Sequence, residues 1–191
     1  MATIERKGYG QLELNRVAFR RDGRVEAQVP YDVSTNGQVY ENGMVVIIET
    51  TAAGKVAKVG TIEDGDLYGI VYTSEELYDS RKPGLKNFGV VVEDGEAKGP
   101  EGYDVYPRIG FLSAGDVFTT NTVVKTDDFA MGDAVTVAAT GEWTKVEAAA
   151  AAEGEGEGED AGASAGPVGV VNQVYTMPDG QPAIEIEIKK A

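Results

Sequence analysis

NGMVVIIETTAAGKVAKVGTIEDGDLYGIVY, residues 42–72, sets three short β-branched runs between turns rich in Gly, Asp and Thr. The runs are too short for helices and show no 3.6-residue apolar period, so they read as strands. The same order returns as MGDAVTVAATGEWTKV, residues 131–146, followed after an interruption by GPVGVVNQVY, residues 166–175. Gly43 matches Gly132, the segment Gly54–Val59 matches Gly141–Val146, and Gly69-Ile70-Val71 matches Gly169-Val170-Val171. Val59 to Gly69 is ten residues and Val146 to Gly169 is twenty-three; the extra thirteen fall in an Ala/Glu/Gly stretch. Two similar β-units are therefore predicted, over 42–72 and 131–175.

That interruption, EAAAAAEGEGEGEDAGASAG at residues 147–166, looks at first like a linker between domains. The repeat argues otherwise, because cutting there would separate Ala134–Val146 from the strand that completes its unit. The stretch reads as a flexible acidic loop standing where the first unit has GTIEDGD. Its composition cannot bury a core, and lengthening an exposed loop costs only about 0.6 kcal/mol per doubling. It attracts cations only loosely, since it lacks the ligand spacing of a formed calcium loop.

Outside the repeat, strands are expected at Gly89–Val92, Arg108–Leu112, Val117–Thr120 and Ala183–Ile188. The last pairs with Val168–Tyr175 across MPDGQP, where Pro178-Asp179-Gly180 presets a turn. Ile184, Ile186 and Ile188 alternate with Glu185, Glu187 and Lys189, giving one dry and one wet face. One short helix is expected from Thr73, which can cap it while Glu76 reaches back. The fold class is mainly β: a β-sandwich or barrel-like body of two similar units, with an N-terminal arm or hairpin over residues 1–40. The body, 41–191, is a single domain.

The chain has 191 residues and a net charge of −15, with no cysteine and no histidine. Thiolate chemistry, disulfides and Ser-His arrangements are excluded, and the acidic balance argues against nucleic acid or anionic membranes as partners. The longest strongly apolar run, Met44–Ile48, is far short of a membrane span, and the opening MATIERKGYGQ lacks the apolar core expected of a secretory leader. Carboxylates are plentiful but sit in turn-like contexts rather than in an apolar cleft, and no phosphate-loop or dinucleotide fingerprint is present. The reading is non-enzymatic, with no catalytic residue, cofactor or metal assigned.

Charge is unevenly spread. Residues 1–30 hold six Lys/Arg against four Asp/Glu, a net +2 that leaves −17 for the remainder. RVAFRRDGRVEAQV, residues 16–29, reads as a hairpin around Arg21-Asp22-Gly23, a loop length that suits a type I turn with a bulge. That register pairs Phe19 with Val25 and Val17 with Ala27, leaving Arg16, Arg20 and Arg24 on the opposite face. One reading is solvated arginines offsetting an acidic body. The other is a docking element, Arg16, Phe19, Arg20 and Arg24, for an acidic protein surface such as a neighbouring copy.

The opening ERKGYGQLELNRVAFRRDGRVEAQV, the block ENGMVVII…GKVAKV…GIVY, the phrase YPRIGFLSAGDVFTTNTV and GDAVTV…GEWTKV…GPVGVV resemble the capsid decoration (cement) proteins of tailed bacteriophages. The resemblance spans most of the chain as a pattern of strands rather than a strict motif, and the low-complexity loop departs from it. It implies a protein made in the host cytoplasm that binds the capsid exterior, with the major capsid protein and itself, as a homotrimer, for partners. A head-fibre base, a tail component and a carbohydrate-binding β-module are the alternatives.

Overall fold

A computed structural model describes residues 2–6, 8–72, 89–99, 106–125, 127–146, 165–177 and 180–191. The helix expected from Thr73 and residues 147–164 of the acidic loop lie outside these. The described residues are mainly β, with one short helix and a β-sandwich-like body. The strands expected outside the N-terminal hairpin are present, with ends differing by a few residues.

The first unit comprises β5 (Val45–Thr51), β6 (Gly54–Lys58) and β7 (Tyr68–Val71), with β5 between the other two. In the second, β13 (Ala134–Val137) lies between β14 (Trp143–Lys145) and β15 (Val168–Thr176). The registers agree. Val45 opposes Ile70 and Val46 opposes Gly69; Ala134 opposes Val170 and Val135 opposes Gly169. Each unit is entered through the same turn, with Gly43 at φ 88° and Gly132 at φ 92°, a conformation glycine adopts freely. Gly43 N–H donates to Val71 O at 2.9 Å, and Gly132 N–H to Val171 O at 2.8 Å.

The likeness extends to a fourth strand. β10 (Ile109–Gly110) pairs with β7 so that Ile109 opposes Val71; β16 (Pro182–Lys190) pairs with β15 so that Ile186 opposes Val171. A third copy of the entry turn precedes β11 (Val117–Thr120). Gly115 N–H donates to Ile188 O and Asp116 N–H to Ser113 O, as Asp133 N–H does to Ala130 O.

The first unit belongs to a five-stranded sheet, β3-β10-β7-β5-β6, where β3 is Val25–Glu26. The second belongs to a six-stranded sheet, β14-β13-β15-β16-β11-β2, where β2 is Leu12–Arg16. One core cluster includes Val45 and Ile70 of the smaller sheet with Phe118, Val135, Trp143, Ile184, Ile186 and Ile188 of the larger. On the other face of the five-stranded sheet, Val46, Ile48, Val71 and Ile109 form a second cluster with Tyr40, Val90 and Val92. The last three come from a small sheet of β4 (Val39–Tyr40), β8 (Val90–Glu93) and β9 (Glu96–Lys98). Burial on both faces is why β5 opens on an unbroken apolar run instead of an alternating one. The C-terminal strand alternates as expected: Ile184, Ile186 and Ile188 are fully buried and Lys189 is exposed.

Two expectations for the N-terminal region fail. Residues 1–40 are not set apart as an arm, because Ile4 and Phe19 belong to the first core cluster and Val29, Tyr31 and Tyr40 to the second. β1 (Ala2–Thr3) pairs with β12 (Asp128–Phe129), and the buried ion pair of Arg6 with Glu41, 2.6 Å, ties the segment to the first unit. Nor do residues 16–29 form a hairpin. Arg16 pairs with Val117 in the six-stranded sheet, whereas Val25 and Glu26 pair with β10 in the five-stranded one. Between them runs helix α1, Ala18–Asp22. The Asp-Gly pair that signalled a hairpin turn ends a helix instead, with Gly23 left-handed at φ 70° and its N–H bonded to Phe19 O.

Candidate interaction surface

The residues singled out in sequence converge, by a route the hairpin reading did not supply. Helix α1 has no cap of its own, since Val17 provides no side-chain bond. The carboxylate of Asp116, 3 % exposed, serves instead: Oδ1 accepts Ala18 N–H at 2.7 Å and Oδ2 accepts Ser113 N–H at 2.8 Å. One side chain thus fixes both the helix start and the turn that precedes β11. Phe19 fixes the helix from below. It is fully buried, with its ring centroid 5.0 Å from that of Tyr72. A Cβ added at Gly110 would lie 2.5 Å from Phe19 Cδ2, so the ring occupies space that only glycine leaves open. Phe19 is therefore an anchor within the core and presents no ring to a partner.

The arginines stand around that anchor. Arg16, at the end of β2, donates from Nη2 to Gly115 O at 3.4 Å, and Arg24 donates from Nη2 to Ser113 Oγ at 2.7 Å. Both guanidinium groups therefore reach the same four-residue turn. Arg20 is exposed on α1 and, with Arg108, lies within electrostatic reach of Tyr72. Burial raises the pKa of the Tyr72 hydroxyl, and these two arginines partly oppose that rise. Arg21 is well exposed and pairs with its neighbour Asp22 at 2.9 Å. Compared with protein-family models, curated proteins and solved structures, the chain matches none.

Five of the seven arginines in the sequence, Arg16, Arg20, Arg21, Arg24 and Arg108, thus belong to this one region of a chain with net charge −15. Arg21, Arg108, Tyr72, Ser113 and Asp116 were not singled out in sequence. The only signal for Asp116 was its place in Ser-Ala-Gly-Asp, which repeats the Gly-Asp of the second unit. Among the described residues, no group of three or more Asp or Glu is placed to hold a metal ion. The arrangement is suited to binding carboxylates: guanidinium groups are planar, weakly hydrated donors that match them bidentately. A helix held at both ends costs little further ordering when a partner docks.

Proposed function

We propose that the chain is a non-enzymatic virion structural protein that docks on the exterior of a bacteriophage capsid and stabilises the shell. The observation that carries this reading is the arginine-rich surface around α1 on an otherwise acidic molecule. Such a surface steers the protein, in one orientation, toward an acidic protein partner. The decoration-protein resemblance of the sequence supplies the identity of that partner, the major capsid protein. The remaining acidic surface would face solvent, where like charge keeps decorated particles apart.

The test is cosedimentation with purified expanded capsids. Saturable binding is expected, weakening as salt shortens the screening length below about 8 Å. The variant Arg16→Glu/Arg20→Glu/Arg24→Glu should lose binding while keeping the circular dichroism spectrum of the folded parent, since all three side chains are exposed. Native protein that does not sediment with capsids, or a triple variant that binds as well as the parent, would remove the proposal.

A further inference from the structure

Among the described residues, the long sheet edges are covered, with one exception. The outer edge of β6 is covered by residues 30–32: Ala57 N–H donates to Pro30 O and Asp32 N–H to Ala57 O, both at 2.8 Å. The outer edge of β14 is covered by the chain at 122–124, through Trp143 N–H to Thr122 O and Val124 N–H to Trp143 O. The edge strands β3 and β4 have two residues each, and β9 has three. β2 has five and closes the six-stranded sheet, yet no described residue pairs with its free side. It contains neither proline nor lysine, and its irregularity along β11 is confined to Asn15, left unpaired between Leu14 and Arg16.

We propose that β2 is an interface between two copies of this chain, paired antiparallel about a two-fold axis through Leu14. Two six-stranded sheets then join as one. The sequence of β2 is complementary to itself in that register. Leu12 and Leu14 are half-buried against the first core cluster, and a second copy sets its own leucines beside them. On the outer face, a bulge between Val117 and Phe118 turns Arg16 to the same side as Glu13. Among the described residues Glu13 makes no ion pair, and Arg16 donates to Gly115 O at 3.4 Å and lies within electrostatic reach of Glu187. Across the axis, Glu13 of each copy comes within reach of Arg16 of the other. The pairing also sets two arginine-rich regions side by side. It needs no capsid, so it stands independently of the docking proposed above, and it differs from the three-fold copy number that the decoration-protein resemblance implies.

The test is sedimentation of the full chain over a concentration series, without any other protein. A concentration-dependent dimer is expected. Glu13→Arg alone and Arg16→Glu alone should each weaken it at least tenfold by opposing like charges, and the double swap should restore it. Because the chain has no cysteine, Leu14→Cys tests the register directly. Opposed strands hold Cα atoms about 4.5–5.5 Å apart, inside the disulfide range, so mild oxidation should give a covalent dimer that reductant dissolves. A monomer at every concentration overturns the proposal. So does a dimer indifferent to the charge swaps, or one in which Leu14→Cys, folded by circular dichroism, does not cross-link.

Discussion

Phe19 shows how far one side chain can reorganise a reading. In sequence it sits between Ala18 and Arg20, in a stretch that alternates well enough to be a strand. In the structure it enters the core against Tyr72, in space kept open by Gly110. Gly110→Ala should destabilise the protein by about 1–3 kcal/mol through overpacking, read as a lower urea midpoint at unchanged slope. Asp116→Ala should cost more than a surface substitution, because it strips acceptors from two N–H groups at once, each worth about 1–3 kcal/mol if left dry. That variant should also loosen α1, visible as faster hydrogen exchange across residues 18–24. Neither long-range contact was legible locally, since about ninety residues or more separate Gly110 from Phe19 and Asp116 from Ala18.

At the scale of elements, a turn ending in Gly-Asp is the recurring device. Ser113–Asp116, Ala130–Asp133 and Glu63–Asp66 each end in Gly-Asp, and in each the aspartate accepts the N–H of the turn's first residue at 2.8 Å. Asp133 also meets Lys145 Nζ at 2.8 Å, tying the second unit's entry to β14. The hydrogen bond from Lys145 holds the Asp133 carboxyl below the usual aspartate range, against the opposing effect of burial. A depressed carboxylate contributes stability at neutral pH that is lost as pH falls through its folded-state pKa. Asp133→Asn keeps an acceptor for Ala130 but loses the ion pair. The parent should therefore exceed the variant at pH 7 by no more than about 1 kcal/mol, given the partial exposure of the pair. Below about pH 4 that advantage should shrink, as measured by thermal melts across pH. The strands themselves were readable because their apolar runs and flanking turn residues are local. The hairpin at 16–29 was misread because Asp-Gly serves a helix end as well as a tight turn.

For the whole molecule, the repeat makes a strong demand on the acidic stretch. Val146 N–H bonds to Ala134 O at 2.9 Å, and Val168 opposes Lys190 in the long C-terminal hairpin. Both points where the chain leaves and rejoins the second unit are thus held by the sheet. Replacing Ala148–Ser164 by a short Gly-Ser turn should leave the melting temperature within a few degrees of the parent; collapse of the unfolding transition would show that the stretch is structural. The positions of the longer strands, the order of the two units and the C-terminal alternation were set by the sequence alone, because β-branched runs, turn glycines and the two-residue period act over a few neighbours. Tertiary structure alone decided that β5 is buried on both faces and that Phe19 is an anchor rather than a contact. It also decided that Arg16 and Arg24 reach the turn that ends in Asp116 while Arg20 stands exposed on α1, and that no described residue pairs with the outer side of β2. These depend on which distant strands meet, and contacts across a hundred residues leave no periodic trace in a single chain.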